Sequence, residues 1–218
     1  PESNVITVED PVEYSIHGIN QVHVNEKAGL TFASALRSIL RQDPDKVMIG
    51  EIRDLETAQM AVRAALTGHT VFSTLHTNDA PSTVVRLTDM GIPPFLVASS
   101  LMASIAQRLV RRVCPHCREE MVVPDNLADP EMLPKGSRIY KARGCDACRG
   151  TGYSGRTALF EIMLVDENIR RLIVANATAR DIYDQARAEG MKTLREQGLR
   201  KVYEGETTLE EVLHVTMA

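Results

Sequence analysis

The sequence lacks tryptophan and contains only four Phe and five Tyr among its 218 residues. Proteins that bind single-stranded nucleic acid usually stack bases on aromatic rings, so this shortage argues against such a role. The net charge of −4 at pH 7 points the same way, because proteins that bind a phosphate backbone usually carry a basic surface. We therefore expect no nucleic acid as substrate.

Long apolar runs are also missing. The longest, residues 95–106, contains three serines and is far shorter than the roughly 18 residues that indicate a membrane-spanning helix. No signal peptide is recognisable at the start of the sequence. Because 44% of the residues are hydrophobic and 25% are charged, as in typical globular domains, the composition predicts a folded cytoplasmic protein.

The dipeptide Gly-Lys does not occur anywhere in the sequence. These residues therefore contain no GxxxxGK[ST] loop, in which backbone amides and a lysine hold nucleotide phosphates. Any nucleotide site that these residues form would be incomplete without that loop.

Hydrophobic periodicity predicts alternating strands and helices in the first half of the chain. Short β-branched runs predict three buried strands, at residues 5–8, 47–49 and 70–75. Apolar residues spaced three and four apart predict helices at residues 31–41, 55–65, 80–90 and 95–110. Strands that alternate with helices favour an α/β fold with a mostly parallel sheet and flanking helices.

The second half of the chain differs in its hydrophobic periodicity and in its cysteine content. Residues 111–157 show little periodicity and contain every cysteine, which indicates a metal-bound excursion with too small a core of its own. Residues 156–165 predict a hairpin or strand that returns to the main body. Helices follow from Asp166 onward, with capping boxes at Thr178 and Thr208 and terminating glycines at 190 and 205. The predicted parts are residues 1–110, 111–157 and 158–218.

The cysteines form two CxxC pairs that are 27 residues apart, Cys114 with Cys117 and Cys145 with Cys148. A two-residue spacer lets both sulfurs face one ion, so two such pairs favour tetrahedral Zn²⁺. Disulfides are the alternative, but they are concentrated in small secreted proteins. A redox role for one pair leaves the other unexplained. The pattern therefore predicts a zinc site.

Carboxylates and one histidine follow the predicted strands. Glu9 and Asp10 come after the first strand, Glu51 after the second, and His76 after the third. The carboxyl ends of parallel strands form one ligand-binding edge, and a carboxylate there can act as a general base toward water. Residues 47–51, an apolar run that ends in an acid, have the form of the second motif of nucleotide hydrolases. Singly, each of these acids is more often a helix cap or a solvated residue, and a single histidine is more often structural than catalytic.

In order, these segments resemble the motifs of the secretion ATPases that power type II secretion and type IV pilus assembly in bacteria. Residues 5–13 resemble the aspartate box, residues 40–54 the Walker B segment, and residues 67–78 the histidine box. Residues 106–112 and the tetracysteine segment ending at Arg156 continue the order. The chain resembles the C-terminal portion of the tetracysteine-containing assembly and export branch, with the Walker A loop expected upstream.

The resemblance implies a RecA-like domain that works as a homo-hexamer, with ATP and Mg²⁺ between neighbouring subunits. It implies that Glu9 and Asp10 act near the attacking water and the metal, that Glu51 has the Walker B role, and that His76 senses the terminal phosphate. Six further residues are candidates for nucleotide binding: Glu13, Arg37, Arg53, Asp54, Thr74 and Arg86.

The implied partner is an inner-membrane platform protein, so that association with the membrane is indirect. Pilus assembly is slightly preferred to type II secretion, but both branches share these motifs. A zinc-binding interaction module without ATPase activity is the alternative. Residues 145–152 fit the CxxCxGxG pattern of zinc-binding co-chaperones, although residues 114–121 do not repeat it. In a nucleic-acid module, four arginines would supply the basic surface: Arg108, Arg111, Arg112 and Arg118.

Overall fold

A four-stranded parallel sheet organises the first part of the chain in the computed structural model, which describes residues 3–123 and 133–217. The strand order is β2-β1-β3-β4. The strands are β1 (Val5–Glu9), β2 (Asn20–His23), β3 (Lys46–Ile49) and β4 (Thr70–Ser73). Val8, Val47 and Ile49 are fully buried, as expected where helices cover both faces of a parallel sheet. The predicted α/β class and the positions of the three predicted strands are confirmed, and β2 was not predicted. The prediction that the third strand is buried is wrong, because β4 lies at the edge of the sheet and Phe72 is 57% exposed.

Helices connect and flank these strands. They are α1 (Phe32–Ile39), α2 (Leu55–Leu66), α3 (Ser82–Asp89) and α4 (Pro94–Ser100). Thr31 begins α1 with a capping box shared with Ser34, and Gly68 follows the end of α2 with a φ of 99° that glycine tolerates. The helices predicted at residues 31–41, 55–65 and 80–90 are therefore confirmed.

The prediction of one helix over residues 95–110 is wrong beyond residue 100. Strand β5 (Ala103–Val113) begins there and pairs with β8 (Tyr153–Leu164). The buried positions of β5 include the small residues Ser104 and Ala106, whereas Ile105 and Leu109 are 59% and 46% exposed. Hydrophobic spacing misleads here because large apolar side chains occupy the exposed face, and pairing with β8 decides the conformation.

The cysteine-containing segment packs with the C-terminal helices. Strands β6 (Glu119–Val122) and β7 (Arg138–Lys141) form an antiparallel pair. The last four helices are α5 (Glu167–Val174), α6 (Ala179–Ala188), α7 (Leu194–Tyr203) and α8 (Leu209–Thr216). Within the described residues, the cysteine-containing segment shares a core with α7 and α8 only, and this core contains Val123, Leu133, Ile139, Leu199, Val202, Leu209 and Val212. Burying each such side chain stabilises the fold by roughly 1.5–3 kcal/mol, so this segment depends on α7 and α8 for its core.

The helical character of the chain after Asp166 is confirmed, but one of the two capping boxes differs from its prediction. Thr178 and Asp181 bond each other's backbone N–H groups, as predicted. Thr208 accepts from the backbone of Glu211, whose own carboxylate instead bonds the backbone and guanidinium of Arg111.

By its contacts the chain divides into two compact units. The first contains the described residues up to Thr77, together with Pro81–Ser104 and Leu164–Gln185. The second contains Asn78–Ala80, the described part of Ile105–Met163, and the residues from Ala186 onward. Among the helices that the structure describes, none combines the length and the apolar character needed to cross a bilayer.

Candidate functional site

The carboxyl ends of β1, β3 and β4 lie side by side in the first unit. Val8 pairs with Ile49, and Ile49 pairs with Ser73. The segments stay together past the strands, because Gly50 N donates to Val8 O at 2.8 Å and Thr74 Oγ1 donates to Gly50 O at 2.6 Å. We call the side chains at this edge the acidic rim, and they are Glu9, Asp10, Glu51, Arg53 and His76.

Glu51 lies between Arg53 and His76 at the rim. Its Oε1 lies 2.5 Å from Arg53 Nη2, and its Oε2 lies 3.2 Å from His76 Nε2. The hydrogen bond from Arg53 lowers the pKa of Glu51, and the contact with His76 acts in the same direction against the effect of burial. Glu51 is therefore an ionised carboxylate at neutral pH, which is the form that accepts a proton or binds a cation.

Glu9 and Asp10 bring further carboxylates to the same edge. Thr7 Oγ1 and Gln21 Nε2 donate to Glu9 Oε1 at 2.5 and 2.9 Å. Glu51 chiefly, and the charge of Asp10 to a smaller extent, raise the pKa of Arg53. The predicted meeting of three strand ends is thus present, with Glu51 and His76 in direct contact.

The other nucleotide-binding candidates lie in varied surroundings. Asp54 begins α2, accepting from Thr57 N at 2.8 Å and from Thr57 Oγ1 at 2.9 Å. Arg37 forms an exposed ion pair with Glu56. Glu13 and Arg86 are exposed, the former in the loop after β1 and the latter on α3. The nucleotide roles of all these residues stay predictions.

The four cysteines converge in the second unit. Their Sγ atoms all lie within 4.8 Å of one another, and Cys148 Sγ is 3.8 Å from both Cys117 Sγ and Cys145 Sγ. Four thiolates at the usual Zn–S distance of about 2.3 Å are separated by about 3.8 Å in a tetrahedron. All four residues are free cysteines, so their geometry fits a Zn²⁺ ion better than the disulfide alternative.

Backbone N–H groups surround the sulfurs. Cys145 N and Gly152 N donate to Cys148 Sγ at 3.2 and 3.1 Å, and Gly144 N donates to Cys117 Sγ at 3.3 Å. Burial raises the pKa of Cys148, but the bonds from Cys145 N and Gly152 N, together with the thiols of Cys117 and Cys145, outweigh it and lower the pKa to about 6. Burial raises the pKa of Cys117 to about 12. Cys148 is thus set up as a thiolate, the form that binds metal.

Two glycines allow the chain to close around this cluster. A Cβ on Gly144 would lie 2.5 Å from Gly150 O, and one on Gly152 would lie 2.7 Å from the Ala142 side chain. Both residues also have positive φ values. Larger residues at these positions would force apart the two arms of the loop that carries Cys145 and Cys148.

Known proteins resemble this chain over its whole length. The model of the family "Type II/IV secretion system protein" matches residues 1–214. The type IV pilus assembly ATPase PilB of Thermus thermophilus is 55% identical, and the match covers 100% of this chain and 25% of that protein. The type II secretion system protein HxcR of Pseudomonas aeruginosa is also 55% identical, with 98% and 42% covered. The chain therefore spans less than half the length of these relatives.

Solved structures share the fold of this chain. The pilus retraction motor PilT, determined with bound ADP, has a TM-score of 0.71 and 29% identity, covering 98% of this chain and 52% of that one. The ATPase DotB of Legionella pneumophila shares the fold, with a TM-score of 0.67 at 22% identity over 99% of this chain and 52% of that one. The rim residues and the cysteines fall inside the matched region, and the chain belongs to the type II/IV secretion system protein family.

Proposed function

We propose that the protein containing this chain hydrolyses ATP and that Glu51 activates the attacking water. The observation that carries the proposal is the Glu51 carboxylate, which stays ionised between Arg53 and His76 at the end of β3. An ionised carboxylate next to a bound triphosphate can accept the proton of the attacking water. Relatives that are named ATPases share half or more of their residues with this chain over the matched region.

The other rim residues have complementary roles in this proposal. Glu9 and Asp10 supply carboxylate oxygens, the ligands that Mg²⁺ prefers, and so would hold the metal that accompanies ATP. His76, whose side chain is 86% exposed, would contact the terminal phosphate and respond when it leaves. Arg37, Arg53 and Arg86 would contribute positive charge to nucleotide binding, and Thr74 would contribute a hydroxyl group. Glu13 would add a carboxylate on the metal side of the nucleotide, and Asp54 would do so more weakly because its carboxylate caps α2.

Hydrolysis would take place in a homo-hexamer, with the rim of one subunit facing a nucleotide shared with its neighbour. The motion that follows phosphate release would be transmitted to a platform protein of the inner membrane, at the cytoplasmic side. Type IV pilus assembly and type II secretion fit equally well, because PilB and HxcR are each 55% identical to this chain. Zn²⁺, held by the four cysteines, would stabilise the second unit without entering the reaction.

A direct test compares ATP turnover by the full-length protein with turnover by the variant His76→Ala. We expect the wild type to release ADP in the presence of Mg²⁺ and the variant to lose about ten- to a thousandfold in kcat, since a group that stabilises developing charge is removed. His214→Ala, which changes an exposed histidine on α8, is the matched control and should keep the wild-type rate. An inactive wild-type hexamer, or an unchanged His76→Ala variant, would contradict the proposal.

A further inference from the structure

We infer that Gln21 is a positioning residue for Glu9, an inference that rests on the proposed function. The register of the sheet brings the two together. Thr7 on β1 pairs with Gln21 on β2, and residues that pair across a sheet project from the same face. Glu9 lies two positions after Thr7 and therefore shares that face. Thr7 lies inside residues 5–13 but was assigned no role there, and Gln21 lies outside every motif.

The orientation of the Gln21 amide follows from its partners. Its Nε2 donates to Glu9 Oε1 at 2.9 Å and to Tyr14 O at 3.0 Å, while its Oε1 accepts from Ile16 N at 2.7 Å. The opposite orientation would place the amide oxygen against two acceptors and the NH₂ group against a donor. The half-buried Gln21 side chain thus binds the Glu9 carboxylate and the backbone of Tyr14 and Ile16, which flank residue 15 in the loop after β1.

Gln21 acts on the same carboxylate oxygen as Thr7. The Thr7 hydroxyl donates to Glu9 Oε1 at 2.5 Å, and Thr7 is itself only 4% exposed, so the first donor is held rigidly by packing. With both donors on Oε1, neither occupies Oε2. The two bonds hold the Glu9 side chain in one orientation, as residues that orient a metal or water ligand commonly do.

The same amide also ties the loop after Asp10 to the sheet. Tyr14 and Ile16 are exposed, at 82% and 53%, so packing contributes little to the position of this loop. The bonds from Gln21 to its backbone replace that packing. Glu9 O in turn accepts from Val24 N at 2.9 Å, which extends the connection between β1 and β2 beyond the last pair of the register.

The test uses Gln21→Glu in the full-length protein. The change keeps the size of the side chain but replaces the NH₂ donor by a carboxylate oxygen that faces Glu9. We expect kcat for ATP hydrolysis to fall roughly 10- to 100-fold, as for other residues that orient catalytic groups, with KM for ATP within about twofold of the wild type. Gln59→Glu, which adds the same charge at an exposed position of α2, is the matched control and should keep the wild-type kcat.

If Gln21→Glu does not fold, Gln21→Met tests the inference, because it removes the amide donor without adding charge and should also lower kcat. A folded Gln21→Met variant with wild-type kcat would overturn the positioning role. A second pair of variants tests the other donor to the same oxygen. Thr7→Val removes the hydroxyl with little change in shape, and Thr7→Ser retains it. We expect Thr7→Val to lower kcat and Thr7→Ser to restore most of it, because the donor to Glu9 is what matters. Equal kcat in these two variants would overturn the role assigned to this carboxylate oxygen.

The outcomes separate this inference from the proposed function. Wild-type kcat in a folded Gln21→Glu variant, or a rise in KM alone, would overturn the positioning role while leaving ATP hydrolysis by Glu51 intact. An inactive wild-type protein would instead overturn the proposed function, and the role of Gln21 with it.

Discussion

The acidic rim and the cysteine cluster are both assembled from separate segments of the chain, but they differ in exposure. At the rim, the side chains of His76 and Arg53 are 86% and 62% exposed. In the cluster, Cys114 and Cys148 are buried, and every ligand position of a tetrahedral ion is supplied by a thiol. Structural metal sites are closed, whereas catalytic sites keep a position open for substrate. Changes at the rim should therefore alter rates, and changes in the cluster should alter stability.

The largest effect is expected for Glu51→Gln in the full-length protein. The amide cannot accept a proton from water, so ATP hydrolysis should fall by about 10²- to 10⁴-fold, while ATP binding measured by calorimetry persists. Glu167→Gln, at an exposed position of α5 where an ion pair with Arg171 contributes little, is the control. Wild-type turnover by Glu51→Gln would show that Glu51 takes no part in hydrolysis. The contrast between a catalytic rim and a structural cluster would then be wrong.

The next largest effect is expected for Cys114→Ser or for removal of the metal by a chelator. Zinc binding is coupled to folding, so the described residues around the four cysteines should lose their order and the melting temperature should drop by about 10 °C. Elemental analysis should find one zinc per wild-type chain. Chelation of the Cys114→Ser variant should change its melting little further, which controls for side effects of the chelator. The prediction is contradicted if metal loss is verified and the melting curve stays unchanged while ATP hydrolysis slows. In that case the cysteine cluster would affect the rate and not the stability.

The parts of this molecule that could be predicted from sequence are those with local causes. Asp54 begins α2, Gly68 ends it, and Thr178 pairs with Asp181 within one turn, because caps and terminators act over three or four residues. The meeting of Glu51 and His76 could also be predicted, since parallel strands have their carboxyl ends at one edge.

The parts that could not be predicted depend on which strand lies beside which. Strand β2 is short and half exposed, so its sequence carries little hydrophobic pattern. The contact of Gln21 with Glu9 requires the parallel register of β1 and β2, which no local signal specifies. The same reason explains the wrong helix over β5, whose conformation follows from its pairing with β8.

A moderate effect is expected at Glu211, which tests whether the second unit depends on more than its metal. This carboxylate is 6% exposed and accepts from Arg111 N at 2.9 Å and from its guanidinium at 2.6 Å. Glu211→Gln should destabilise the protein at pH 7 by roughly 2 kcal/mol, as for other buried hydrogen bonds to charged groups. Glu210→Gln, its exposed neighbour, should have little effect.

The pH dependence of the same pair has a defined sign. The hydrogen bond from Arg111 lowers the pKa of Glu211, so its stabilising effect is complete above the unfolded-state pKa of about 4.3. That effect is lost as the pH falls through the lower folded-state pKa. Denaturant unfolding should therefore show the difference between wild type and Glu211→Gln shrinking below about pH 4. A difference that grows on acidification would contradict the ion pair.

The smallest effect is expected for Asp54, the nucleotide-binding candidate whose carboxylate is already engaged as a helix cap. Its two oxygens accept from the backbone and the hydroxyl of Thr57, so Asp54→Ala should destabilise the protein by about 1 kcal/mol, the usual effect of losing a cap. Asp54→Asn should restore most of that stability, because an amide oxygen also caps, and should leave KM for ATP unchanged. A KM that rises tenfold in Asp54→Asn without loss of stability would assign Asp54 to nucleotide binding. The region where substitutions alter rates would then extend past Glu51 and Arg53 to the start of α2.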